Sequence, residues 1–174
     1  RLRIWEHPEP GHAYTIGGDT GHGIQVGGNP SAAWVLNRMT GRFVACWWGI
    51  IDAVSFAHEL VRLGHYYNEA HICVELGGPG SETVGQLAGR DIGTPRYKRL
   101  YLHSKPGRWE NVDTNLPGYP GTVKAERDAM LAALNHALEP QEKGDPESIP
   151  MRIPCAGTLR EMASVRRDAK SSLV

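Results

Sequence analysis

Two apolar, β-prone runs in this sequence each lead to a single carboxylate and then break into glycines. Residues 14–23, YTIGGDTGHG, reach Asp19 among Gly17, Gly18, Gly21 and Gly23. Residues 70–80, AHICVELGGPG, reach Glu75 just before Gly77, Gly78 and Gly80. A strand that ends this way presents an acid on a slim backbone, which leaves room for something large to approach. If the two acids act together, their strands must lie side by side. The rest of the chain is then the scaffold that joins them.

The intervening residues fit that role. Residues 13–19, 32–37 and 42–49 alternate or run apolar as strands do. A glycine-rich stretch, 21–30, joins the first two. Arg38-Met39-Thr40-Gly41 joins the last two as a hairpin, so the three should form an antiparallel meander. The third, RFVACWWG, is apolar throughout, as a strand covered on both faces should be, and Trp47 and Trp48 read as core. Over 51–63 the period changes. Ile51, Val54, Ala57, Leu60 and Val61 recur at helical spacing, Asp52 stands near the start and Gly64 ends the run. A strand at 70–76 carries Glu75. Ser81 can cap a short helix through Leu87, and 97–103, YKRLYLH, reads as a fifth strand. The coarse order is β-β-β-α-β-α-β.

The flanks are plainer. Residues 1–11 hold Pro8 and Pro10 and read as an edge segment or linker end. Residues 104–121 form a long loop rich in Pro, Gly and Asn. Thr122 can cap a helix that sets Val123, Met130, Leu131, Leu134 and Leu138 on one face. A polar linker at 139–150, a short strand at 151–154, a helix at 158–165 and a flexible tail at 166–174 complete the chain.

The chain's 174 residues make one domain of ordinary size, 1–174. It opens on Arg rather than Met, so we expect a piece of a longer protein. Lys plus Arg equals Asp plus Glu at 19 each, which leaves no global pull toward nucleic acid or membrane. Any nucleic-acid function must use a local basic face. No apolar run approaches spanning length. Cys46, Cys73 and Cys155 are odd in number and widely spaced, as reduced thiols of a cytosolic protein would be.

Asp19 and Glu75 carry the sharpest chemistry. Hard cations such as Mg²⁺ or Mn²⁺ take oxygen ligands and keep several waters. Two such ions can activate water and stabilise a leaving oxygen in phosphodiester hydrolysis. The plainer alternative is that each acid ends a strand in solvent. GGDTGHG lacks the Gly-Lys-Ser/Thr of a nucleotide-binding P-loop and does not open a helix as a dinucleotide fingerprint does. No nucleophile elbow and no cysteine on an exposed turn support a covalent hydrolase. His22 could touch a ligand, or be an ordinary loop histidine. Arg96, Lys98 and Arg99, with Arg90, Lys105 and Arg108, form the most basic stretch, interleaved by Tyr97, Tyr101 and Trp109. They could hold a phosphate backbone, or line a solvated strand face.

In order, YTIGGDTGHG, residues 31–80 (SAAWVLNRMTGRFVACWWGIIDAVSFAHELVRLGHYYNEAHICVELGGPG), RYKRLYLH and TNLPGYPGT resemble the nuclease domain of the large terminase subunit of tailed bacteriophages and prophages. The resemblance implies a ribonuclease-H-like α/β fold. In it, a mixed five-stranded sheet of order 3-2-1-4-5, its first three strands antiparallel, is flanked by helices. It implies a Mg²⁺- or Mn²⁺-dependent endonuclease, using two ions, that cuts concatemeric viral double-stranded DNA during packaging in the bacterial cytoplasm. It further implies an N-terminal ATPase domain, a small terminase and a portal as partners, and no membrane. Asp19 matches the family's first acid and Glu75 its second. Their separation, 75 − 19 = 56 residues, suits three strands and a helix. The family's third acid, in a His-Asp-Asp-like segment, has no match here; Asp168 in RRDAKSSLV stands in different surroundings. Asn29 stands near a place where a further acid is common. These departures keep a second reading open, a non-catalytic module that docks DNA or a packaging partner. A junction resolvase or integrase core fits residues 66–75 and 114–122 less well.

Overall fold

The computed structural model describes residues 1–23, 28–90, 96–103, 116–121, 124–138 and 151–164. Its centre is a sheet with one face packed on a helix. β2 (Tyr14–Asp19), β3 (Ser31–Asn37) and β4 (Arg42–Gly49) form the antiparallel meander. Along β2 and β3 burial alternates residue by residue, because successive side chains leave opposite faces of a strand. Ile16, Ala33, Val35 and Ala45 are wholly buried on the inner face.

The β3–β4 hairpin needs its glycine. Gly41 holds φ +65°, and its amide donates to the Asn37 carbonyl at 2.9 Å. The Asn37 side chain also accepts from the Met39 amide at 2.9 Å, which tightens the turn.

Helix α1 (Ala53–Tyr66) starts where Asp52 caps it. The Asp52 carboxylate accepts from the Ser55 amide at 2.8 Å and the Ser55 hydroxyl at 2.6 Å, and these bonds hold its pKa below the usual carboxylate range. Ala53, Phe56, Ala57, Leu60, Leu63 and Gly64 form its buried stripe. The chain then returns as β5 (His71–Val74), parallel to β2. Strand pairing continues outward through β1 (Leu2–Ile4) on β4, so the sheet order is β1-β4-β3-β2-β5. Helix α2 (Gly80–Leu87) packs beside α1, and Pro79 rather than Ser81 stands at its cap. The 1–11 lead-in thus supplies an edge strand, as one of its two readings held.

The fifth strand expected at 97–103 is not one strand. Within it, Leu100 alone bridges Ile72, in parallel, while β6 (Leu102–His103) pairs with β7 (Leu116–Pro117) in a separate two-stranded sheet. The cause is Tyr97. Its ring is buried against the C-terminal turn of α1, where a Cβ on Gly64 would overlap it, and its hydroxyl donates to the Ala70 carbonyl at 2.6 Å. Burial pushes the Tyr97 phenol up to about 12. That anchor leaves 98–99 as a turn. The outer edge of β5 is therefore completed in two pieces. The Ile72 amide donates to Arg99 at 2.9 Å, and the Tyr119 amide donates to Val74 at 2.8 Å. The loop expected at 104–121 thus includes β7; residues 104–115 lie outside the described residues.

Other expectations are corrected on the outer surface. Trp47 is core, but Trp48 is 49% exposed, because it falls on the outward step of the pleat. α3 (Lys124–Leu138) forms as expected, with Met130 exposed on it. The strand expected at 151–154 is a single bridge from Arg152 to Arg42, and α4 (Ala156–Ser164) follows it. The three cysteines are free and half-buried. Thr122 and residues 139–150 and 165–174 lie outside the described residues.

Leu60 is fully buried at the centre of the sheet–helix contact. Leu60→Ala should cost about 2–5 kcal/mol, the usual penalty for emptying a leucine site in a packed core, read as a lower urea midpoint at unchanged m.

Candidate metal centre

β2 and β5 run parallel, and their last paired residues are Gly18 and Val74. The Glu75 amide donates to the Gly18 carbonyl at 3.2 Å, which extends the ladder one step further. Gly18 and Val74 face the core: a Cβ on Gly18 would touch Val74 at 3.3 Å and Leu60 at 3.4 Å. One residue on, Asp19 and Glu75 must both leave the opposite face, on strands about 4.8 Å apart. The structure thus brings the two sequence-predicted acids together, both solvent-exposed, at adjoining strand ends.

The Glu75 carboxyl registers this company. Its pKa is raised, first by partial burial and then by the negative charge of Asp19, while Arg127 of α3 pulls it down. The shelter comes from the 116–121 segment. Tyr119 bridges Glu75, the Leu76 amide donates to the Tyr119 carbonyl at 2.6 Å, and Gly121 lies directly against the Glu75 side chain. A Cβ on Gly121 would meet the Glu75 Cδ at 2.7 Å.

Buried hydrogen bonds fix the turns behind the acids. Thr20, next to Asp19, donates its hydroxyl to Thr83 of α2 at 3.1 Å, and Thr83 donates to the Ala53 carbonyl at the start of α1 at 3.1 Å. The Gly21 amide donates to the buried Ser31 hydroxyl at 3.1 Å. Gly21 packs on the Asn29–Pro30 backbone, and Gly80 packs on the Glu75 carbonyl. Both contacts leave no room for a side chain, which accounts for two of the glycines that follow the acids.

A cavity of about 690 Å³ opens beside the pair, walled by His22, Asp52, Pro79 and Glu82. Neither Asp19 nor Glu75 lines it. His22 is exposed and belongs to this wall, near Gly78 of the second glycine turn. Arg96 and Lys98 border another recess, with His65, Glu69 and Tyr97. Lys105 and Arg108 lie outside the described residues. No group of three or more His, Cys, Asp or Glu side chains stands ready for a metal among the described residues, so no third acid joins the pair there. Asn29 is exposed on the loop before β3.

Sequence reasoning missed Gly121, Tyr119, Arg127 and the Thr20–Thr83 link. The glycines of PGYPG were the one available signal, since close backbone approach needs them.

The donor set suits a divalent cation. Two exposed carboxylates that raise each other's energy are what a hard ion with several waters relieves.

No protein-family model matches the chain, and no curated protein is similar to it by sequence. Solved structures are. The magnesium-bound large terminase nuclease of thermophilic phage G20c superposes with TM-score 0.69 at 19% identity, over 99% of this chain and 76% of that one. The cobalt-bound form of the same nuclease gives 0.67 at 17%, over 99% and 76%. The large terminase nuclease domain of Thermus phage P74-26 gives 0.64 at 19%, over 99% and 74%. At such identity the likeness establishes the fold, which is that of the large terminase nuclease domains.

Two substitutions probe this geometry. Gly121→Ala should push the Glu75 carboxylate aside and weaken Mn²⁺ binding at least several-fold in calorimetry, with circular dichroism unchanged. Asp19→Asn should lower the Glu75 pKa part of the way to the ordinary value, as followed by carboxyl NMR; an unmoved titration would mean the two acids do not interact.

Proposed function

We propose that this chain is a divalent-metal-dependent DNA endonuclease of the terminase type, cutting double-stranded DNA during genome packaging. The observation that carries the proposal is the pairing of Asp19 and Glu75 on one face at adjoining strand ends, in a fold shared with phage terminase nucleases. Those neighbours include magnesium-bound and cobalt-bound forms, which supports Mg²⁺ or Mn²⁺ here.

Asp19 and Glu75 would hold the ion, which would polarise a phosphate and lower the pKa of an attacking water. The protein's own residues prepare the place. The slim glycine turns let a duplex approach the acids. Gly121 limits where the Glu75 carboxylate can stand, and the Thr20–Thr83 link fixes the turn that carries Asp19. Arg127, close enough to act on Glu75, can offer positive charge to a phosphate. Hydrolysis with two ions would call for carboxylates beyond these two. Sequence preference should be low, because the groups named bind backbone and not bases. The ATPase domain, small terminase and portal would be partners of the longer protein.

The test is nicking of supercoiled plasmid with Mn²⁺. Asp19→Ala and Glu75→Ala should each lower the rate by 100-fold or more while melting near the wild-type temperature. Cleavage at the wild-type rate by both variants would reject the assignment. A wild-type chain that binds DNA without cutting it would favour the docking module instead, a reading that gains from the two-acid donor set.

Acid should weaken Mn²⁺ binding early. The ion needs Glu75 deprotonated, and its pKa lies above the ordinary value of about 4.3. Affinity should therefore begin to fall at a pH above that value and decline through the raised pKa. The same shift means that the folded chain holds the Glu75 proton more tightly than the unfolded one. Ionised Glu75 thus subtracts stability at neutral pH, and stability recovers as the pH falls through the folded pKa. Glu75→Gln should weaken Mn²⁺ binding, remove its early acid loss, and leave the Tm at neutral pH unchanged or slightly higher.

A further inference from the structure

The acids occupy one end of β2 and β5; a second recess, of about 350 Å³, lies at the other. Arg38, His71, Lys98 and Arg99 border it, around Tyr14 and Leu100. Three segments supply these groups. Arg38 follows β3 and is fixed by its amide, which donates to the Ala13 carbonyl at 2.9 Å. His71 opens β5, opposite Thr15 of β2. Lys98 and Arg99 stand on the turn that the Tyr97 anchor creates. Arg99 donates to the Glu69 carbonyl at 3.2 Å, a neutral acceptor that orients the guanidinium without cancelling its charge. Neither Arg38 nor Lys98 makes an ion pair with a described residue. Among the described residues, no carboxylate borders the recess. Like charges gathered from separate segments around a concavity repel one another, and an anion relieves them.

The recess is aligned with the metal centre. His71, Cys73 and Glu75 leave the same face of β5, as do Thr15, Gly17 and Asp19 of β2. His71 borders the recess and stands four positions before Glu75, which is about 13 Å at a strand's rise. The gap is short enough for phosphates a few nucleotides apart on one duplex to reach both ends. Midway on β2, Gly17 is exposed, and a Cβ there would meet nothing within 4 Å among the described residues.

We propose that this recess binds a backbone phosphate of the duplex, a few nucleotides from the phosphate cut at Asp19 and Glu75. The proposal deepens the nuclease reading and rests on it. Arg38, Lys98 and Arg99 act as positioning residues, since guanidinium and ammonium groups grip phosphate without reading sequence. Anchoring there sets the direction in which the duplex crosses the acids.

The experiment measures binding of a fluorescent 30-base-pair duplex by anisotropy, in EDTA, from 50 to 200 mM salt. The double variant Arg38→Ala/Lys98→Ala should bind at least ten-fold more weakly at 50 mM. The slope of log K against log salt should become shallower by about one, at roughly 0.9 per lost phosphate contact. Mn²⁺ binding to the carboxylates should be unaffected by calorimetry. The charge-keeping pair Arg38→Lys/Lys98→Arg should restore most of the affinity, which a merely structural role would not predict. Unchanged affinity and slope in the double alanine variant would overturn the recess, even if that variant still nicks plasmid and the nuclease reading survives. If the wild-type chain binds duplex but never nicks it, and the double variant loses that binding, the recess stands and the nuclease reading fails.

Discussion

The parallel pairing of β2 with β5 is the constraint on which the molecule turns. Parallel neighbours cannot be joined by a tight turn, so the chain must travel out through β3, β4 and α1 before it can return. That excursion is most of the fold. The pairing also has to be in register. Gly18 opposite Val74 puts both next residues on the outer face, and a slip by one would send Glu75 into the core against Leu60. The buried stripe of α1 and the inner residues of five strands hold that register. The hydrophobic core and the placement of the acids are therefore one problem with one solution.

Around that pairing the electrostatics are deliberately unsettled. Asp19 and Glu75 repel each other, and partial cover by Gly121 makes the cost larger for Glu75. Such a cost persists where surrounding contacts over-determine the geometry, and here they do. Thr20, Thr83 and Ala53 tie the end of β2 to both inner-face helices through buried hydrogen bonds, while Tyr119 adds a short pairing to β5 beyond the point where Leu100 leaves it. A cation at the acids and an anion in the Arg38 recess would each remove a repulsion that folding alone leaves in place. Acid pair and recess are thus opposite in sign, and both stand at the ends of the same two strands.

The misread segments share a cause. YKRLYLH alternates as a strand should, yet Tyr97 is captured by the notch at Gly64, a contact between residues 33 apart in sequence (97 − 64) that no local pattern encodes. Trp48 lies in an apolar run and is still exposed, because composition cannot say which face of β4 is covered. Arg38 looked like a hairpin residue, and became part of a cationic recess only when His71 and the 98–99 turn arrived beside it.

Much was legible in advance. The meander, the amphipathic run of α1 and the two strand–acid–glycine endings follow from periodicity of two, periodicity of 3.6 and the steric freedom of glycine, all local properties of the chain. So did the choice of Asp19 and Glu75 as the candidate pair. What tertiary structure alone decided is how they meet: which face they share, that Gly121 presses on Glu75, that Arg127 stands within reach, and that a basic recess lies about 13 Å down the same strands. Those facts depend on distances between residues far apart in sequence. Such distances are set by packing and loop closure, so no short stretch of sequence contains them.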